Sequence, residues 1–172
     1  MIDSGQIAGM RQFLTFTVAE EEYAIDVQRV SEILAFVPLT RVPRAPGFIA
    51  GVMNLRGSVV PVVDLRVKLG MATTAATSKT CIIIVSVDST NGRTIMGLLA
   101  EEVRQVMDLA PGDIESPPSF GTRIDLSFLQ GMGDLGDHFA LILNIDKVLS
   151  DIELIAATAA AAEASETPAA AE

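Results

Sequence analysis

The chain repeats itself. Residues 48–69 read F-I-A-G-V-M-N-L-R-G-S-V-V-P-V-V-D-L-R-V-K-L. Eighty residues on, without a gap, residues 128–149 read F-L-Q-G-M-G-D-L-G-D-H-F-A-L-I-L-N-I-D-K-V-L. Phe48 falls on Phe128, Gly51 on Gly131, Leu55 on Leu135 and Leu69 on Leu149, while Asp64 falls on Asn144. Upstream there is a fainter echo: V-S-E-I at 30–33 resembles V-R-Q-V at 103–106, and Ile25 falls on Leu98 at the same offset. A duplicated chain must build one architecture twice. Positions that serve only the fold should recur in both copies, and a position that changes kind is a candidate for function.

Each half reads as strand, turn, strand, amphipathic segment, proline-marked loop and glycine-marked hairpin. Residues 13–18 alternate aromatic and aliphatic residues with Thr, a strand signature, and Tyr23 to Ile25 resume after the charged turn Glu20-Glu21-Glu22. Val27, Val30, Ile33 and Leu34 sit at helix-like spacing, and both a full helix and a helical turn running into a strand fit them. Pro38, Pro43 and Pro46 forbid a long regular element between 36 and 47. Pro61, inside the strand 58–63, implies an edge or a bulge. The second half restarts with strands at 80–87 and 94–99, followed by a proline-rich loop over 110–123. Short strands joined by turns predict a mainly β chain of two small barrels. Ser150 to Glu153 has capping-box form and predicts a helix over the Ala-rich residues 151–164, with a disordered tail over 165–172.

Composition excludes several function classes. Net charge is −10 with no basic run, which argues against nucleic acid. The N-terminus lacks the charge-then-apolar pattern of a signal peptide, and no apolar run approaches a membrane span, so no direct membrane insertion is expected. One histidine and one cysteine do not make a zinc site. Cys81, leading C-I-I-I-V, reads as a small buried hydrophobe and fits a reducing cytosol. G-M-G-D-L-G at 131–136 matches the dinucleotide fingerprint, but an apolar β run follows where a helix is needed, so its glycines serve a tight hairpin. Asp64 and Asn144 read as caps to a following helical turn. No catalytic residues, cofactor or metal are expected.

Arg56 is the position that changes kind, since it falls on Gly136. Glycine satisfies the turn there, so the fold does not require arginine. A guanidinium beside Leu55 on a rigid hairpin suits protein recognition.

The motif F-I-x-G, then N-L-R-G, then V-x-P-V-V-D-L, together with E-Y-A-I-D-V-Q-R-V-S-E-I-L at 22–34 and G-L-L-A-E-E-V-R-Q-V at 97–106, resembles the CheW family of chemotaxis coupling proteins. The resemblance covers residues 11–150. It implies a single CheW-like domain of two intertwined five-stranded SH3-like β-barrels, about 11–70 and 80–150. It implies a non-catalytic, cytoplasmic adaptor that is recruited to membrane-bound chemoreceptor arrays. The implied partners are the cytoplasmic tip of methyl-accepting chemoreceptors, the regulatory domain of the histidine kinase CheA, and other CheW-like domains in rings. The residues matching the receptor groove are Val27, Val30, Ile33, Gly97, Val103 and Val106. Glu32, Ile33, Asn54, Leu55, Arg56 and Gly57 match partner contacts around the hairpin. Gly51 and Gly131 match glycines where backbones approach closely, and Phe120 matches an aromatic used against the kinase domain. The alternatives are a CheW-like scaffold for another kinase pathway controlling pilus motility or development, a small hydrolase using Asp64 or His138, and a ligand-binding barrel.

Overall fold

The computed structural model describes residues 9–89, 92–117 and 126–148. The helix expected over 151–164, the tail and Phe120 lie outside the described residues. The first half supplies β1 (Arg11–Val18), β2 (Glu21–Asp26), a 3-10 turn (Val27–Arg29), β3 (Val30–Ala35), β4 (Ile49–Leu55), β5 (Ser58–Asp64) and α1 (Leu65–Lys68). The second supplies β6 (Cys81–Ser89), β7 (Gly92–Ala100), β8 (Glu102–Leu109), β9 (Ile114–Glu115), β10 (Leu129–Asp134), β11 (Phe139–Leu143) and α2 (Ile145–Val148).

The strands form two sheets, ordered β8-β1-β2-β11-β10-β9 (sheet A) and β3-β6-β7-β5-β4 (sheet B). The sheets do not follow the sequence halves. Each half gives its first hairpin to the sheet that the other half completes. The joints are two parallel pairings among otherwise antiparallel ladders. In one, Ala24 of β2 lies opposite Ile142 of β11; in the other, Gly97 of β7 lies opposite Val62 of β5. These are the same pair of positions under the repeat. Sheet A carries a sixth strand, the two-residue β9. Its counterpart in the first half is a single bridge between Thr40 and Val52.

Successive side chains of a strand point to opposite faces, so a continuously apolar strand is buried on both. β6 follows this rule. Ile83, Val85 and Val87 join the large cluster shared by both sheets, with Phe16, Tyr23, Ile25, Val63 and Leu98. Ile82 and Ile84 face the other way, into a cluster with Val62 that fills the curl of sheet B. Phe13, Ala24, Leu109, Ala140 and Ile142 fill the curl of sheet A. Both interiors are therefore occupied by side chains. Each such aliphatic contributes about 1.5–3 kcal/mol on burial.

One detail decides between two sequence readings, and two depart from the sequence reading. Val27 to Leu34 are a 3-10 turn running into β3, the second of the two readings, because β-branched side chains crowd a helix and fit a pleated surface. Pro61 lies inside sheet B, between β7 and β4, and not on an edge. It is tolerated because the ladder to β7 begins only at Val62, one residue after the missing N–H. Cys81 is half-buried and not fully so, since it stands at the first position of β6, beside Ala35 and Ala100.

Two carboxylate–arginine clasps hold the exchanged hairpins. Between β7 and β8, Glu101 accepts hydrogen bonds from the Ala19 N–H (2.9 Å) in the β1–β2 turn and from Arg66 on α1 (2.7 Å). On the opposite side the charges are reversed: Asp146 on α2 accepts from the Asp88 N–H (2.9 Å) and from Arg29, which follows β2. Arg29 also donates to the Ser86 carbonyl at 2.7 Å. Arg66 and Asp146 are equivalent positions of the repeat. Lys68 closes the arrangement, its ammonium 4.9 Å and 5.4 Å from the ring centroids of the equivalent residues Phe48 and Phe128.

Gly51 and Gly131 recur for a steric reason. Both sit where the hairpin register shifts. A Cβ on Gly51 would come within 2.7 Å of the Thr40 carbonyl oxygen, and one on Gly131 within 2.8 Å of the Glu115 carbonyl oxygen. Gly51→Ala and Gly131→Ala should each cost about 1–3 kcal/mol, as overpacking does. Thermal unfolding followed by circular dichroism should show a fall of several degrees in each case. An unchanged Tm in either variant would contradict this assignment.

Candidate protein-interaction surface

The β4–β5 hairpin is closed by the two residues Arg56 and Gly57, with φ of 49° and 91°. Positive φ at both central positions is the two-residue turn whose twist matches the flanking strands, and it favours Asn-Gly. Asn54 supports it by accepting the Gly57 N–H at 3.0 Å. Asn54 and Gly57 thus shape the turn. Arg56 is held in the left-handed region, which costs a non-glycine residue roughly 1–2 kcal/mol. Its counterpart Gly136, at φ of 103°, carries no such cost.

β3 and the β4–β5 hairpin lie toward opposite ends of sheet B, and the sheet's curl brings Glu32 of β3 beside the hairpin tip. Arg56 donates through both terminal nitrogens to the two Glu32 oxygens, one of them at 3.3 Å. The hydrogen bond from Arg56 holds the Glu32 carboxyl below its ordinary range, and Glu32 raises Arg56 in turn. The pair therefore stays ionised below the pH at which a free glutamate takes up its proton. Arg56 is nonetheless 71% exposed. Leu55, Val59, Pro61, Thr94 and Ile95 complete a cleft of about 520 Å³ around the pair. Ile95 is an exposed large hydrophobe. The sequence reading passed over it, although the repeat holds the signal: Ile95 falls on Glu22, so an apolar residue stands where the other copy has an acid.

The other candidates lie in several environments. Glu32, Leu55 and Arg56 share the cleft just described. Val27, Val30 and Val103 are partly buried against the large core cluster. Gly97 is inside β7, where a Cβ would approach Ile82 Cγ2 to 2.8 Å. Its counterpart Ala24 is also small and fully buried. Ile33 and Val106 are 43% and 55% exposed. They are equivalent positions on β3 and β8, which are the outermost strands at matching ends of the two sheets.

Asp64 and Asn144 both cap the following helical turn: Asp64 Oδ1 accepts the Arg66 N–H at 3.0 Å and Asn144 Oδ1 the Lys147 N–H at 3.2 Å. The second Asp64 oxygen accepts from Thr73 Oγ1 at 2.5 Å. Both oxygens are engaged. Gly131 to Gly136 are β10 and its turn into β11, with no helix following. Among the described residues, no group of three or more potential ligands is placed to hold a metal ion, and no helix is long and apolar enough to cross a membrane.

Comparison with known proteins agrees with this architecture. Residues 12–153 match the family model of the CheW-like domain. The chain is 34% identical over 151 residues to the chemotaxis protein CheW of Klebsiella aerogenes, covering 88% of each chain. It is 31% identical over 149 residues to that of Rhizobium meliloti, covering 87% of this chain and 94% of the relative. The solved structure of the scaffolding protein TtCheW from Thermoanaerobacter tengcongensis superposes with a TM-score of 0.72 at 31% identity, over 81% of this chain and 88% of that one. Two interlocked sheets, a duplicated hairpin and the N-L-R-G turn are thus explained together: the chain belongs to the CheW family of chemotaxis scaffold proteins.

Proposed function

We propose that this chain is a non-catalytic adaptor that couples methyl-accepting chemoreceptors to the histidine kinase CheA. The observation that carries the reading is Arg56. The fold is satisfied by glycine at the equivalent turn, yet here an arginine is kept in a costly backbone conformation, exposed, and aligned by Glu32 at the mouth of a cleft of mixed polar and apolar lining. Strain retained at an exposed, ordered side chain points to use by a partner. In this reading the cleft with Glu32, Leu55, Arg56 and Ile95 meets the regulatory domain of the kinase. Ile33 and Val106 offer apolar contacts to a receptor helix, with the half-buried Val27, Val30 and Val103 backed by the large core cluster, while Gly97 serves the groove by letting β7 pack closely on Ile82 and Val62. Docking of an amphipathic helix needs such a lining. Several weak contacts made at once suffice for firm assembly in an array.

Calorimetric titration into the CheA regulatory domain of the same organism tests the reading. Saturable binding is expected, weakened at least tenfold by Arg56→Asp, which replaces a cation with an anion beside Glu32 and costs upwards of about 1.4 kcal/mol. A large fall in Tm for Arg56→Asp with binding intact would overturn the interface role. Absence of wild-type binding at tens of micromolar, about −6 kcal/mol, would favour the other scaffold reading, a different kinase pathway.

Arg56→Gly separates fold from function more sharply. Relief of the left-handed strain should leave stability unchanged or raise it by up to about 1 kcal/mol, while kinase binding falls. Ile33→Asp and Val106→Asp should leave stability within about 0.5 kcal/mol, as exposed substitutions do, and reduce co-sedimentation with receptor-tip fragments. Retention of full co-sedimentation by both variants would remove these residues from the receptor surface.

A further inference from the structure

The cleft of sheet A that corresponds, through the repeat, to the Arg56–Glu32 cleft of sheet B is organised around the chain's one histidine. In sheet B the turn supplies Arg56. In sheet A that position is Gly136, and the charged contact is a different one, made by His138, where the first copy has Ser58, to Glu22, where the other copy has Ile95. His138 Nε2 lies 2.6 Å from Glu22 Oε1, and Nδ1 lies 2.6 Å from Asp137 Oδ1. A neutral imidazole carries one N–H and one lone pair, so it donates to only one carboxylate and presents a lone pair to the other. Both contacts are favourable together only for the imidazolium.

The two carboxylates differ. Asp137 is open to water, whereas the Glu22 side chain is 9% exposed. On loss of the proton the remaining N–H is best kept on Nε2 toward Glu22, because a carboxylate withdrawn from water needs a donating partner. The Asp137 contact is then given up to water, and the Glu22 contact falls from an ion pair to one neutral hydrogen bond. The other charges facing the cleft are Glu20 and Glu21 from the first hairpin and Glu102 and Arg104 from β8. Arg104 and Lys79 lie 3.8 Å and 3.7 Å from Glu102. The surroundings are acidic on balance and favour the cation.

We propose that His138 is a proton-operated latch: as the imidazolium it pins the β10–β11 turn between Glu22 of β2 and Asp137, and on losing its proton it holds the turn to β2 by one neutral hydrogen bond only, so that the turn loosens. The pin joins the two halves of the chain within sheet A, since β2 belongs to the first half and the turn to the second. Phe139, the next residue, is exposed and lines the same cleft. Loosening of the turn therefore alters the apolar part of this face, and a partner docking there meets a surface that depends on pH.

Hydrogen bonds to Glu22 and then to Asp137 hold the imidazole above its ordinary value of 6.5. The folded value exceeds the unfolded one, so the ion pair is fully present below 6.5 and is lost as pH rises through the folded value. The single histidine gives one imidazole signal to follow by NMR. The full-length wild type, Glu22→Gln, Asp137→Asn and His138→Ser are titrated, and amide exchange at residues 136–139 is measured over the same pH range. In the wild type, the midpoint should lie above 6.5 and protection of these amides, corrected for intrinsic rates, should fall several-fold as the imidazole deprotonates. Glu22→Gln should lower the midpoint and flatten the response. His138→Ser should give weak, pH-independent protection. Asp137→Asn, at an exposed site, keeps the test open if Glu22→Gln does not fold, and should lower the midpoint by less. Turn protection unchanged through the wild-type titration, or a midpoint unmoved in the carboxylate variants, would overturn the proposal.

Discussion

The two parallel pairings, β2 with β11 and β5 with β7, are the constraint on which the rest depends. Without them neither sheet is complete, because each half retains three or four strands and donates the hairpin that the other half lacks. The cost is kinetic: Ala24 must find Ile142 across most of the chain, and contacts so distant in sequence close slowly. The return is that the interior of each curl, and the large cluster between the sheets, are filled by residues from both halves. Neither half can loosen alone without opening the other's core.

That rigidity makes the surface features meaningful. The cleft around Arg56 draws on all five strands of sheet B, so its geometry is fixed by the sheet's curl and not by a loose loop. On such a frame a guanidinium can be held to the tolerance that recognition demands. The fold tolerates glycine at the same turn in the second copy, and there the mouth of the cleft is occupied by a titratable imidazole instead. One architecture thus carries two faces of different chemistry, one ionised across the ordinary pH range and one responsive to it.

Much of this was legible in the sequence because duplication supplies an internal comparison. Gly51 with Gly131 and Asp64 with Asn144 recur because the same steric and capping needs recur, and the structure shows a near-collision and a cap at both. Arg56 against Gly136 was visible for the opposite reason. The repeat alone could not show the exchange of hairpins, since it is equally consistent with two barrels side by side; the intertwining was legible only through the family resemblance. Pairing between distant strands depends on contacts that leave no local pattern. The depth of single residues was also hidden. Val27, Val30 and Val103 and the exposed Ile33 and Val106 are all aliphatic residues of similar segments, and only the alternation of β3 and β8 against their neighbours separates them. Ile95 went unremarked because it sits in an ordinary strand run, and its importance comes from β3 and the hairpin closing around it.

The reversed charges of the two clasps have a further consequence for how the halves can associate. Arg66 on the first helix and Asp146 on the second occupy equivalent positions, each facing its opposite on the other half. In a symmetric pair of first halves Arg66 would face the segment carrying Arg29, and in a pair of second halves Asp146 would face the segment carrying Glu101. Both pairings bring like charges together; only the mixed pair brings opposite ones. Severed in the exposed stretch between α1 and β6, the two fragments are therefore matched for one-to-one complementation and mismatched for self-association. The duplication has lost its symmetry at the two points that decide which half recognises which.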